Sequence, residues 1–159
     1  METFSVRTRD AEATKALGEG IGRRLTGGEM ILLSGPLGAG KTTLVQGMAS
    51  GLGVVGRVQS PSFVLERIHR GRLTLRHLDF YRLSAGEVNE AGFFDEPDEP
   101  TVTVVEWAER AEAIPKASLW IRIAPVPGEP DSRSILIESL TRSWGDNMRD
   151  VKREADLGD

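Results

Sequence analysis

Cysteine is absent from the 159-residue chain, and long apolar runs are absent as well. Without cysteine there is no disulfide bond, no cysteine-ligated zinc or iron-sulfur site and no thiol nucleophile. No apolar stretch approaches the ~20 residues that cross a membrane, and residues 1–10 lack the apolar core of a signal peptide. We therefore expect a cytoplasmic protein with no membrane association.

An excess of positive charge is also missing. The 20 lysines and arginines are outnumbered by 24 aspartates and glutamates, for a formal net charge of -4. Proteins that hold nucleic acid mainly by their own surface neutralise its phosphates with positive charge. We therefore expect no binding to DNA and only an indirect connection to RNA. With 39% hydrophobic and 28% charged residues, the chain suits one soluble globular domain.

Hydrophobic periodicity predicts an α/β fold with a parallel central sheet and flanking helices. Phe4 and Val6 indicate a first strand, and Asp10 is a suitable N-cap for a glycine-containing helix that continues to about Leu25. The apolar run at residues 30–33 is typical of a strand covered on both faces in a parallel sheet. A second helix is predicted from residue 41 to about 52, and another buried strand at residues 101–105.

Two antiparallel hairpins are predicted beside the parallel strands. Residues 63–65 and 73–75 flank a turn at 69–72, and two alternating segments at 119–123 and 135–137 flank a loose, proline-rich connection. Short helices are predicted after the capping box at 84–87 and at 108–113. Residues 1–140 would form the domain, whereas the polar residues 141–159 are predicted to be a mobile tail or a frayed helix.

The segment from Gly35 to Thr42 carries the clearest chemical motif. It matches the phosphate-binding pattern G-x-x-x-x-G-K-[ST] between a predicted strand and a predicted helix, the context that a P-loop requires. Glycines let backbone N–H groups converge on phosphates at the positive end of the helix. Lys41 would reach the terminal phosphates, and the Thr42 hydroxyl would bind Mg²⁺. The predicted nucleotide-binding residues are Gly35, Leu37, Gly38, Ala39, Gly40, Lys41, Thr42 and Thr43.

Two carboxylates, Asp79 and Glu106, each follow an apolar strand. Ligands of open α/β sheets bind outside the carboxyl ends of the strands, so both acids are placed to face the phosphates. One would orient water and the other would hold Mg²⁺. The alternative is that they meet solvent or pair with Arg76 or Arg82.

Four segments together resemble the TsaE (YjeE) family of small bacterial P-loop ATPases. They are LSGPLGAGKTTL at the P-loop, SPSF at residues 60–63, LDFYRL at 78–83 and VEW at 105–107. The resemblance implies a P-loop fold and an ATPase that uses ATP and Mg²⁺. It implies a requirement for threonylcarbamoylation of the adenosine beside the anticodon in tRNAs reading codons that begin with A. It also implies action through TsaB and TsaD, with the adenylate supplied by TsaC and tRNA reached only indirectly.

The resemblance also implies roles for individual residues. Glu106 matches a metal-linked catalytic acid beside a family tryptophan, here Trp107, and Asp79 matches the acid of a D-x-Y-R segment. Residues 60–63 match a loop that resembles a nucleotide-sensing switch, with Ser62 where threonine is usual. The predicted catalytic residues are Glu106, Asp79 and Lys41, and the predicted metal ligands are Thr42 and Glu106.

Two other functions are compatible with these residues. In a small-molecule phosphotransferase, Asp79 would be the base for a substrate hydroxyl, although the arginines are scattered rather than gathered in a lid. In a non-catalytic nucleotide-gated scaffold, hydrolysis would be incidental. No N-K-x-D guanine motif follows the P-loop, which favours ATP over GTP. His69 and His77 lack the companions and spacing of a zinc site, and His77 is interpreted as a packed residue.

Overall fold

A computed structural model of the chain describes residues 2–36, 38–56, 66–79, 100–107 and 117–157. These residues form a seven-stranded sheet with three helices. The strands are β1 (Glu2–Thr8), β2 (Met30–Ser34), β3 (Glu66–Arg70), β4 (Thr74–Asp79), β5 (Thr101–Glu106), β6 (Leu119–Val126) and β7 (Glu129–Ser139), and the helices are α1 (Ala11–Gly22), α2 (Lys41–Gly51) and α3 (Arg142–Leu157). None of these helices is both long and apolar enough to cross a membrane.

The sheet has a parallel centre and antiparallel edges, in the order β1-β7-β6-β2-β5-β4-β3. Strands β6, β2, β5 and β4 run parallel, whereas β3, β7 and β1 each pair antiparallel with a neighbour. Every residue of β5 is buried, as is β2 after its first residue, because both faces of the central strands are covered. The predicted α/β fold with a parallel centre and hairpin additions is confirmed.

Helices α1 and α2 pack closely against each other through glycine. A Cβ atom at Gly18 would lie 2.3 Å from the carbonyl oxygen of Leu44, and one at Gly47 would lie 2.1 Å from that of Lys15. Only glycine allows this approach, because non-bonded carbon contacts settle at about 3.5 Å or more. Glycine at positions 18 and 47 therefore lets the two helices pack closely. The predicted N-cap is confirmed, since Asp10 Oδ1 accepts a hydrogen bond from the Ala13 N–H at 2.8 Å.

Helix α3 differs from the mobile tail or frayed helix predicted for residues 141–159. Trp144, Met148 and Val151 are buried, and their spacing places them on one face of the helix. Helix α3 contacts α1, β1 and β7. For the described residues the tail prediction is wrong, because three apolar residues at helical spacing are enough to bind a highly charged helix to the core.

Both predicted hairpins are present, with different boundaries. Strand β3 continues through His69, so its turn to β4 lies at residues 71–73. Strands β6 and β7 are joined by a tight turn at Pro127 and Gly128, where Gly128 has a φ of 78°, instead of a loose connection. The predicted strand residues 63–65, the capping box at 84–87 and the helix at 108–113 lie outside the described residues.

Candidate nucleotide-binding site

The predicted P-loop connects β2 to α2. Gly40 is the N-cap of α2 and has a φ of 102°, a left-handed conformation that glycine adopts without strain. A Cβ atom at Gly35 would lie 2.3 Å from the carbonyl oxygen of Ile123, so glycine lets β6 run directly beside the loop. Gly40 has no side chain to cap the helix, and the first turn contains no acidic residue. The N-terminal N–H groups of α2 are therefore suited to an anion. Leu37 lies outside the described residues.

Lys41 is buried at the start of α2, with 6% of its surface exposed. Its ammonium Nζ donates a hydrogen bond to the carbonyl oxygen of Gly35 at 2.5 Å and lies 3.8 Å from the centroid of the Trp107 ring. A carbonyl oxygen and an aromatic face both attract a cation. These contacts hold the lysine charge inside the loop, at the carboxyl end of β2.

Trp107 follows β5 with an unusual backbone conformation. Its φ of 60° is positive, which no other non-glycine residue in the described ranges shows. Such a conformation costs ~1–3 kcal/mol and is concentrated at functional sites. The Trp107 N–H donates to the carbonyl oxygen of Leu33 at 3.1 Å, which ties the end of β5 to β2. The strained turn places the indole ring over Lys41.

The two predicted acids end neighbouring parallel strands. Asp79 ends β4 and Glu106 ends β5, and the two residues are partners in the register of these strands. Glu106 is also the register partner of Leu33 on β2, one residue before the end of that strand. Asp79 is 5% exposed and Glu106 is 2% exposed, so neither acid simply meets solvent. The structure therefore places both acids at the carboxyl ends of the central parallel strands, where the P-loop begins.

Glu106 is in contact with His77, an interaction that sequence reasoning missed. His77 Nε2 lies 2.5 Å from Glu106 Oε2, and the His77 side chain is fully buried. The other ring nitrogen, Nδ1, is buried and makes no hydrogen bond within the described part of the chain. His77 is packed, but against a candidate catalytic acid. Strand alternation could have indicated this, because residue 77 shares its face of β4 with Asp79, the register partner of Glu106.

The oxygen donors at this edge suit Mg²⁺. The Thr42 hydroxyl at the start of α2 and the Glu106 carboxylate at the end of β5 are ligands of the type that Mg²⁺ prefers. The described ranges contain no group of three or more His, Cys, Asp or Glu residues that could hold a metal. An Mg²⁺ site in a nucleotide-binding protein needs no such group, because phosphate and water oxygens supply most of its ligands.

Comparison with known proteins assigns the chain to a family. The family described as "Threonylcarbamoyl adenosine biosynthesis protein TsaE" matches residues 8–135. The chain belongs to the TsaE family. The family match includes the P-loop, Asp79 and Glu106, which confirms the resemblance inferred from the four sequence segments.

Individual relatives agree with this TsaE assignment. Each is named tRNA threonylcarbamoyladenosine biosynthesis protein TsaE. The relative from Mycobacterium tuberculosis is 40% identical over 147 residues, which cover 84% of this chain and 83% of the relative. The relative from Synechocystis sp. is 42% identical over 111 residues, which cover 67% of this chain and 71% of the relative. The relative from Streptomyces coelicolor is 38% identical over 137 residues, which cover 82% of this chain and 93% of the relative.

A solved structure matches the TsaE fold described here. The crystal structure of Bacillus subtilis YdiB superposes with a TM-score of 0.74 and covers 96% of each chain at 28% sequence identity. The match supports the arrangement of the mixed sheet and its helices as a whole.

Proposed function

We propose that this protein is a Mg²⁺-dependent ATPase required for forming threonylcarbamoyladenosine in tRNA. The modified adenosine lies beside the anticodon of tRNAs that read codons beginning with A. One observation carries the proposal. The buried P-loop lysine, Lys41, and the strand-end acids Asp79 and Glu106 all lie at the carboxyl end of the parallel strands. Membership of the TsaE family supplies the process. The proposed partners are TsaB and TsaD in the cytoplasm, through which the protein acts on tRNA indirectly.

Nucleotide binding depends on the P-loop in this proposal. The N–H groups of the loop and of the first turn of α2 bind the phosphates, with help from the positive end of the helix. Lys41 exchanges its contact with the Gly35 carbonyl for one with the terminal phosphates. The exchange is favourable because the phosphate oxygens carry negative charge, whereas the Gly35 carbonyl oxygen is neutral.

Hydrolysis depends on the acids. Thr42 and Glu106 would hold Mg²⁺, and the bound ion would supply positive charge that offsets the negative charge of the phosphate oxygens. The contact between His77 and Oε2 orients the Glu106 carboxylate, as outer-shell partners of metal ligands commonly do. Asp79, beside Glu106, orients the attacking water. Lys41 stabilises the charge that develops on the transferred phosphoryl group.

The test separates nucleotide binding from hydrolysis. Wild type, Lys41→Ala and Glu106→Gln are titrated calorimetrically with ATP, and phosphate release is measured alone and with TsaB, TsaD and tRNA. Lys41→Ala should bind ATP roughly 10- to 150-fold more weakly, since it loses a charge-assisted contact worth about 1.5–3 kcal/mol. Glu106→Gln should bind ATP nearly normally and hydrolyse it about 100-fold more slowly, a barrier increase of about 3 kcal/mol.

Asp79→Asn provides the comparison that distinguishes the other functions. The protein would be a kinase if Asp79→Asn lost activity, Glu106→Gln kept it, and a small hydroxylated metabolite were phosphorylated by ATP. If Glu106→Gln abolished hydrolysis but still sustained repeated tRNA modification, the protein would be a nucleotide-gated scaffold. Unchanged ATP affinity in folded Lys41→Ala would remove the P-loop assignment itself.

A further inference from the structure

Arg133 lies on β7, far in sequence from the P-loop motif, and contacts the backbone of the P-loop. Its Nε donates a hydrogen bond to the carbonyl oxygen of Ala39 at 2.7 Å, and its Nη2 donates to that of Gly38 at 3.4 Å. Its Nη1 donates to the carbonyl oxygens of Pro130 at 2.8 Å and Ser132 at 2.7 Å, at the start of β7. The guanidinium group therefore connects β7 to the loop through all three of its nitrogens.

Strand pairing supports Arg133 on both sides. Its backbone lies between two neighbouring strands, with Thr8 of β1 as one register partner and Pro125 of β6 as the other. A planar guanidinium that makes several hydrogen bonds cannot rotate without breaking more than one of them. A Cβ atom at Gly40 would lie 3.5 Å from Nε, so the side chain also packs against the loop backbone.

These contacts determine where the peptide groups of the loop point. In a trans peptide the C=O of one residue and the N–H of the next point in opposite directions, and the described residues contain no cis peptide bond. Holding the Ala39 carbonyl towards Arg133 therefore turns the Gly40 N–H away from it. Binding both carbonyl oxygens also keeps these negative dipole ends from turning towards a phosphate, which they would repel.

We propose that Arg133 is a positioning residue that holds the Gly38 and Ala39 carbonyl groups outward, so that the Gly40 N–H points to nucleotide phosphates while the Ala39 N–H donates to the carbonyl oxygen of Pro36 at 3.1 Å. The inference rests on the proposed function, because it takes a nucleotide as the ligand of the loop. Arg133 itself does not touch the nucleotide. It fixes the orientation of the loop carbonyl groups before a nucleotide binds. Its contribution to the affinity for ATP and for ADP is therefore the same.

The experiment compares Arg133→Met, Arg133→Lys and the control Arg7→Met with wild type. Arg7 is on β1 and forms an ion pair with Glu129 at the beginning of β7, so the control removes an arginine from the same region without removing the loop contacts described above. Calorimetry measures the Kd for MgATP and for MgADP, steady-state hydrolysis gives kcat and KM, and thermal melting identifies a temperature at which every variant is folded.

Arg133→Met should bind both nucleotides about tenfold more weakly, with KM raised and kcat at saturating ATP unchanged, since it loses binding that is uniform between ground and transition states. Arg133→Lys keeps one nitrogen that can donate hydrogen bonds, so its nucleotide affinities should lie between those of Arg133→Met and wild type. Arg7→Met should bind both nucleotides like wild type. Wild-type affinity for both nucleotides in folded Arg133→Met would overturn the inference alone, even if its melting temperature falls. Failure of wild type to bind either nucleotide would overturn the proposed function, and the inference with it.

Discussion

Alanine substitutions at Gly18 and Gly20 should change the stability of the protein in opposite directions. Both glycines lie in α1, where replacing glycine by alanine normally stabilises a helix by about 0.5–1 kcal/mol. At Gly20 the new Cβ would lie 3.6 Å from Cγ1 of Val151 and 3.7 Å from Oε2 of Glu154, which are ordinary contacts. Gly20→Ala should therefore show the normal gain, which for a chain of this size raises Tm by about 1–4 °C.

At Gly18 the new Cβ would lie 2.3 Å from the Leu44 carbonyl oxygen and 3.0 Å from Gly47 Cα. Both are backbone atoms of α2 and cannot rotate away, so the two helices have to separate by about 1 Å to restore a normal contact. Overpacking of this kind costs ~1–3 kcal/mol. Because the clash is with backbone, we take the upper end of that range and subtract the helix gain of about 1 kcal/mol. The expected net loss is about 2 kcal/mol, or about 4–8 °C in Tm.

Urea denaturation and thermal melting of the two variants measure this difference directly. Calorimetric titration with ATP adds a functional measurement, because α2 begins with Lys41 and its displacement moves the P-loop. Gly18→Ala should weaken ATP binding, whereas Gly20→Ala should not. If Gly18→Ala were as stable as Gly20→Ala, the close approach of the two helices would not be the reason for glycine at this position.

The remaining predictions concern α3, the metal site and acid stability. Met148→Ala should lower the free energy of unfolding in urea by about 2–5 kcal/mol, because Met148 is fully buried, and an unchanged midpoint would contradict the packing of α3. Thr42→Val should reduce Mg²⁺-dependent hydrolysis more than Mg²⁺-free nucleotide binding, and equal losses would oppose a metal role. Burial lowers the pKa of His69 from 6.5, with further lowering from the charges of His77 and Arg67. Since the unfolded chain then binds the proton more readily, stability should fall as pH decreases below 6.5, and urea midpoints at pH 7.5 and 5.5 should differ less in His69→Gln.

Local patterns were enough to predict the strand, loop and helix that form the candidate phosphate site, and the start of α1. These patterns determine the structure of their immediate neighbours, so their spacing is enough to predict it. They are the apolar run at residues 30–33, the glycines from Gly35 to Gly40 and the N-cap Asp10. The position of Asp79 and Glu106 at strand ends also predicted their place at one edge, because the carboxyl ends of parallel strands lie together.

Contacts between distant residues could not be predicted in the same way. Arg133 reaches Ala39 across 94 residues and His77 meets Glu106 across 29, and both contacts depend on strand order and register that no local pattern reveals. Helix α3 was missed for a different reason. Its mean composition is polar, and only the spacing of its few apolar residues shows that one face is buried.

The pairing of the first strand with the last has a consequence for how the protein is made. Within the described part of the chain β1 pairs only with β7, from Glu2 with Ser139 to Thr8 with Arg133. At ~5–20 residues per second, a ribosome completes β7 several seconds or more after β1. During that interval Phe4 and Val6 have neither the strand nor the helix that later covers them, and an unpaired apolar strand is prone to join another chain. We therefore expect the β1 segment of the nascent chain to need protection until β7 has been synthesised.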